Sequence, residues 1–343
     1  MVKILCIVPS FPCGGAELQL RYFKNYSSNK IDVKILSLTE SPTADLTIAN
    51  DLMLSNVNNK PIKMMLRIIR SLRLSVYLLT RDVDVLMFYN RIFLPVAILL
   101  RFFNKKVIFS VREYDESVAF GWRKYSLSKM NRVYANSARV TNLLNSVGVN
   151  CNLIKNYFPF DETNYEHANL SEKTKFEVVV VANIQPHKNI EIVIQAASII
   201  GVKVIIFGRE DNEEYCDKLK ALANDTNVKV EFGGFKNKYI INERLKESVC
   251  LIHPSLKEGT PNSVLEAINL GVPILLSKIP EHEALCLKKN AYFNPLSAKN
   301  LSEKIEGAQN NPSDFTQNRE TLKREYGIEN IKQIEALVCG IAQ

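Results

Sequence analysis

The chain is poor in the residues that mark fibrous, disordered or disulfide-built proteins. Glycine and proline number 13 each in 343 residues, too few for a collagen-like or low-complexity chain, and no internal repeat or biased tract occurs. The seven cysteines (Cys6, Cys13, Cys151, Cys216, Cys250, Cys286 and Cys339) are odd in number, scattered and never spaced C-x-x-C. That pattern argues against a disulfide framework or a zinc ribbon and fits a reducing cytoplasm. Long apolar runs are lacking too. Residues 4–8 are too few for a signal-peptide core and meet Pro9 at once, so they read as a first strand. Residues 92–100, with Phe102 and Phe103, are cut by Arg101, whereas a membrane span needs about 20 residues. No segment is expected to cross a bilayer. Neither the dinucleotide fingerprint G-x-G-x-x-G nor the P-loop G-x-x-x-x-G-K-[ST] occurs.

What is present is a chain of ordinary globular composition, 46% hydrophobic and 23% charged, whose length predicts two domains with separate cores. Its net charge of +8 is unevenly placed. Residues 1–170 carry 22 Lys and Arg against 13 Asp and Glu, while residues 171–343 carry 22 against 23. A basic first half can meet nucleic acid, anionic lipid or a phosphorylated substrate, and charge alone does not choose.

Short β-branched runs recur at residues 2–8, 33–38, 83–88, 107–111, 177–182, 202–207, 228–232, 249–252 and 272–276, with helical periodicity between most of them. This alternation predicts βαβ units and parallel sheets. The expected fold is α/β, with two Rossmann-like doubly wound parallel-sheet domains facing a central cleft. Residues 157–175 are polar and turn-rich, and read as the linker. The expected domains are 1–170, 171–310, and a helical tail, 311–343, that packs back towards the N-terminal domain. In this architecture ligands bind at the carboxyl ends of the strands, so the chemistry belongs in strand-to-helix loops.

Three loops qualify. In the first, Gly14 and Gly15 precede a helix, which suits either close approach of an anion to the backbone or a plain tight turn. In the second, a buried strand ends at Ala182 and the loop carries Asn183, His187 and Lys188, with a helix expected from about Asn189. Lys188 beside a helix N-terminus can hold a phosphate. His187 is either a loop histidine or a catalytic one. The third loop holds Glu258 and, one turn inside the following helix, Glu266. Asn262 or Ser263 is placed to cap that helix, and backbone N–H groups from Gly259 through Thr260 to Ser263 point out of its positive end. This suits a ligand with sugar hydroxyls on both sides of a diphosphate, or equally a capped surface helix with an incidental acid.

The ordered set Gly14-Gly15-Ala16-Glu17, Asn136-Ser137, Lys188-Asn189, Glu258 through Glu266, and Leu270-Gly271-Val272-Pro273 resembles the retaining glycosyltransferases of family four, of the GT-B fold and the glycosyl transferases group 1 type. The resemblance is dense over residues 176–310 and thinner over 1–156. It implies that Glu266 binds the nucleotide ribose and that Glu258 lies beside the donor sugar and reacting carbon. Gly259, Thr260, Asn262 and Ser263 would hold sugar hydroxyls and phosphate, Lys188 would neutralise the leaving diphosphate, and Gly14 and Gly15 would admit the phosphates to the first domain. No metal or other cofactor is implied. Three positions depart from the family pattern. Asn183 stands where many relatives have an arginine, Arg112 occupies the strand end where many have a histidine, and Arg209 follows Phe207-Gly208 where an acid is common. Arg112 can stabilise charge but not act as a base.

Two features lie outside that set. Asp82-Val83-Asp84 fits a metal-binding D-x-D, yet it also opens a β-run. Residues 60–81 carry six basic residues and no acid, interleaved with apolar ones, which suits a helix lying on anionic lipid or one packed on the first sheet. Nucleic acid is not expected, because no aromatic-interleaved or helix-turn-helix pattern accompanies the charge. The expected activity is transfer of a sugar, with retention, from a nucleotide-sugar donor (UDP before GDP) to a lipid-linked saccharide acceptor in bacterial surface-polysaccharide synthesis. The expected location is the cytoplasm, peripheral at the anionic inner-leaflet surface. A nucleotide-sugar epimerase and a non-catalytic lipid-binding scaffold are the alternatives.

Overall fold

The computed structural model describes residues 1–9, 15–39, 41, 44–48, 59–112, 116–160 and 176–342. The chain divides into two compact units, one of Met1–Pro159 with Tyr326–Gln343 and one of Phe160–Glu325.

The first unit is a seven-stranded parallel sheet of β1 (Val2–Val8), β2 (Ile31–Ser37), β3 (Leu46–Thr47), β4 (Val85–Phe88), β5 (Val107–Val111), β6 (Arg132–Ala135) and β7 (Cys151–Leu153). The spatial order is β3-β2-β1-β4-β5-β6-β7. Its crossovers carry α1 (Gly15–Tyr26), α2 (Lys60–Leu79), α3 (Leu94–Phe102), α4 (Gly121–Ser128) and α5 (Ala138–Ser146). Every residue of β4 and β5 is buried, as in a sheet covered on both faces, and this is why those strands read as continuous apolar runs rather than alternating ones. β6 and β7 were not expected from the sequence. At four and three residues they are too short to show periodicity, and their registers on β5 and β6 come from tertiary pairing.

The second unit runs β8 (Glu177–Val181), α6 (Glu191–Ile200), β9 (Lys203–Phe207), α7 (Glu213–Asp225), β10 (Val230–Gly234), α8 (Lys238–Glu247), β11 (Leu251–His253), α9 (Asn262–Asn269), β12 (Ile274–Ser277), α10 (Pro280–Glu283), β13 (Tyr292–Phe293), α11 (Ala298–Asn310), α12 (Pro312–Phe315) and α13 (Arg319–Tyr326). Its sheet is parallel in the order β10-β9-β8-β11-β12-β13. The strand order therefore reverses between β8 and β11, the switch point beyond whose carboxyl ends this architecture binds its ligands. Gly208 closes the end of β9 against β8. Its φ is +156°, and a Cβ there would lie 2.0 Å from the Ala182 carbonyl oxygen, so only glycine fits.

A last helix, α14 (Asn330–Ala342), belongs to the first unit, where it buries Ile331, Ile334 and Val338. Glu335 accepts from the Ser28 N–H, and Lys106 Nζ donates to the Ala342 carbonyl at 2.6 Å. Tyr157 and Phe158, at the start of the expected linker, are buried. The Gln19 amide bonds both the N–H and the carbonyl of Tyr157 at 2.9 Å, so this segment is part of the first unit rather than a loose connection. Residues 161–175 of the expected linker, and the expected boundary near 170, lie outside the described residues. Among the described residues no helix is long and apolar enough to cross a membrane.

Candidate functional site

In the second unit, the loops after β8 and β11 leave the sheet on either side of its switch point; three contacts lace them together, and a fourth ties them to Pro295 after β13. The Leu256 N–H donates to the His187 carbonyl at 2.8 Å. Asn189 Nδ2 donates to the carbonyls of Pro254 (3.3 Å) and Pro295 (3.0 Å), and Lys188 Nζ is ion-paired with Glu258 Oε1. Asn189 adopts a left-handed conformation (φ +52°) that ends the 3-10 turn Pro186–Lys188. Asparagine tolerates this region better than most residues. Helix α6 therefore starts at Glu191, two residues later than expected, and Lys188 is aimed by the turn rather than by a helix N-terminus.

Glu258 is the centre of this arrangement, with its side chain only 11% exposed and that of Lys188 16%. Ser255 Oγ donates to the same carboxylate oxygen at 2.6 Å, and His253 Nε2 lies 3.6 Å from it. Burial pushes the Glu258 carboxyl up, but the pull of His253, once it is protonated in acid, and of Lys188, with the bonds from Lys188 and Ser255, outweighs it and holds the pKa at about 2. Burial pushes His253 down to about 3, so its ring is neutral near pH 7 and Lys188 is the cation opposite Glu258 there. Behind them lies a buried polar layer that sequence reasoning missed. The His282 ring packs edge-on against His253, with centroids 5.1 Å apart. His282 Nδ1 lies 2.7 Å from the Ser277 carbonyl, and Ser277 Oγ donates to the Ser255 carbonyl. The one legible signal was a histidine closing the apolar run of β11.

Glu266 sits on the second turn of α9, 14% exposed, with Oε1 2.6 Å from Lys238 Nζ at the start of α8. Lys238 was not anticipated. Gly259, Thr260, Asn262 and Ser263 are all half-buried along the loop and first turn. The expected cap is corrected here. Asn262 is the first helical residue, Pro261 holds the cap position, and no side chain caps the helix, because the proline fixes the entry to α9 one residue earlier. Asn183 is tied to the neighbouring strand end, its Oδ1 accepting the Arg209 N–H at 3.3 Å. Arg209 Nε lies 3.5 Å from Asp211. His187 is pushed down by partial burial and by Lys188, and its carbonyl serves the loop contact to Leu256.

In the first unit, Arg112 follows β5. Its guanidinium donates to Ser110 Oγ (3.0 Å), Asn156 Oδ1 (3.0 Å) and Tyr134 OH (3.4 Å). It lies over the rings of Tyr89 and Tyr134, 5.2 and 5.8 Å from their centroids. Burial opposes its charge, yet the surrounding tyrosines keep the pKa raised. Gly15 is the first residue of α1, and Gly14 lies outside the described residues. The D-x-D pair is at the opposite, amino edge of this sheet. Asp84 accepts the Lys3 N–H at 2.8 Å and Asp82 pairs with the Lys3 ammonium, so both acids secure β4 to β1.

Residues 161–327 match the family model described as Glycosyl transferases group 1. The match spans both laced loops, Glu258 and Glu266. No curated protein matches the chain. Among solved structures, the chain is similar to Anabaena HepE in complex with UDP and glucose (16% identity, 99% of this chain and 100% of that one, TM-score 0.78). It is also similar to sucrose-phosphate synthase from Thermosynechococcus elongatus (15% identity, 100% and 98%, TM-score 0.76). A third likeness is to a lipopolysaccharide outer core galactosyltransferase in its apo form (17% identity, 99% of each chain, TM-score 0.64). These likenesses establish the fold as that of GT-B glycosyltransferases, built from two Rossmann-like parallel-sheet domains. The second unit carries a glycosyl transferases group 1 domain.

Proposed function

We propose that the protein is a metal-independent, retaining glycosyltransferase that moves a sugar from a nucleotide-sugar, UDP-linked before GDP-linked, to a lipid-linked saccharide acceptor in surface-polysaccharide synthesis. The observation that carries this reading is the buried Glu258–Lys188 pair where the loops after β8 and β11 meet at the switch point of the second sheet. An ionised carboxylate held ready in a low-dielectric loop can accept hydrogen bonds from sugar hydroxyls. The ammonium beside it and the uncapped N-terminus of α9 offer positive charge to a departing diphosphate. Glu266, further along the same helix, has the chemistry to accept both hydroxyls of a ribose. Arg112 is assigned to charge stabilisation on the acceptor side.

The domain match and the UDP carried by the Anabaena neighbour support the donor class. The cationic, acid-free α2 supports a peripheral place at an anionic inner-leaflet surface. The test is transfer of radiolabelled sugar from UDP- and GDP-sugars to a membrane extract, with and without chelator. Product that partitions with lipid, retains the donor's anomeric configuration and survives chelation supports the reading. Donor converted to another nucleotide-sugar with no acceptor would make the protein an epimerase, and no donor consumption would leave a lipid-binding scaffold.

A further inference from the structure

Helix α2 has 20 residues, yet it buries only Leu74, Ser75 and Leu78, all in its last third. The apolar residues before them are not packed on the sheet. Ile62, Met64, Met65, Ile68, Ile69 and Leu72 are each more than 40% exposed. Leaving a large apolar stripe in water is unfavourable, and patches of this kind mark sites that something else covers. On one side of α2, Met64, Ile68 and Leu72 fall at i, i+4, i+8 and form a wall of an open groove of about 940 Å³. Ile98, Leu99 and Phe102 of α3 form the floor, and Trp122 and Tyr125 of α4 the far wall. Phe102 is 88% exposed, and Trp122 is the chain's one tryptophan. Among the described residues no acidic one lines the groove, whereas Arg67, Arg101 and Lys129 do. The Arg101 guanidinium is held at the rim by the carbonyls of Lys129 and Lys105, both at 2.9 Å.

An apolar channel walled by aromatic side chains and rimmed only by cations matches one chemistry, a hydrocarbon chain bearing an anionic head. A polypeptide partner of the same charge would need acidic side chains along its edge, and a bilayer surface alone would need no channel. The geometry points to the groove between α2, α3 and α4 as the seat for the isoprenoid tail of a phosphate-bearing acceptor lipid. The naming of that lipid rests on the transferase reading. The groove itself does not.

Farnesyl phosphate, added to the full-length protein as monomers, is the probe, and Trp122 emission is the readout. Occupancy buries the indole, so emission shifts to the blue, saturates at roughly 10–100 µM and loses its quenching by iodide. Leu72→Asp, at an exposed helix position, raises the half-saturation at least about 10-fold. Met64→Glu does the same if Leu72→Asp fails to fold. No saturable shift, or one that neither variant moves, overturns the assignment. So does concentration-dependent dimerisation that Leu72→Asp abolishes in a protein silent to farnesyl phosphate, because a second copy would then cover the face. UDP binding measured on the same sample separates the two claims. A silent Trp122 with UDP bound refutes the groove alone, and a responding Trp122 without nucleotide binding refutes the transferase reading alone.

Discussion

Lys188→Met leaves Glu258 buried without its cation. In the native protein the carboxyl is held at about 2 against an ordinary 4.5. A depressed folded pKa contributes stability that is fully present above about pH 4.5 and is lost as pH falls towards 2, an effect worth about 3 kcal/mol for this depression. The group is only 11% exposed, so little of that is screened away. His253, neutral near pH 7, cannot take over. In the variant the carboxyl moves above its ordinary value, the sign reverses, and folding takes up a proton instead of releasing one. The expected loss is at least about 3 kcal/mol at pH 7, narrowing to about 2 kcal/mol near pH 3.5. Urea unfolding of both proteins at the two pH values measures it. Adding Glu258→Gln to Lys188→Met recovers most of the loss at pH 7. A loss below about 0.5 kcal/mol at pH 7, or one of equal size at both pH values, refutes the electrostatic reasoning.

Further outcomes follow from other parts of the site. Glu258→Gln keeps the size of the side chain but removes its charge; the thermal midpoint falls because Lys188 loses its anion, and initial transfer rates, assayed well below that midpoint, fall by about 100-fold or more. A fall under about 3-fold removes Glu258 from the chemistry. Gly208→Ala drives a Cβ into the Ala182 carbonyl and lowers stability by about 2–3 kcal/mol, read as a lower urea midpoint. An unchanged midpoint contradicts the close approach of the β8 and β9 strand ends.

The fold was largely legible because buried parallel strands write themselves as uninterrupted β-branched runs. Residues 2–8 and 107–111 were expected as strands, and β1 and β5 have those bounds. What was not legible is what tertiary structure imposes on short segments, such as the four-residue β6 and three-residue β7. The same limit applies at the site. Lys188 and Glu258 each stood out locally, but their pairing joins two loops 70 positions apart, which no periodicity encodes. The expected cap on α9 failed because Pro261 decides where that helix begins. The His253–His282 layer was missed because a histidine takes its meaning from its neighbours in space. For α2, the apolar and basic positions were plain, but only the structure shows that most of the apolar ones stay uncovered.

The most direct test of the donor site is calorimetric titration of the protein with UDP and with GDP, without and then with magnesium, repeated on Glu266→Ala. Saturable binding of one nucleotide, unchanged by magnesium and weakened at least about 100-fold by the substitution, is expected of a site in which Glu266 holds the ribose. Binding of neither nucleotide, or equal affinity in Glu266→Ala, would contradict it.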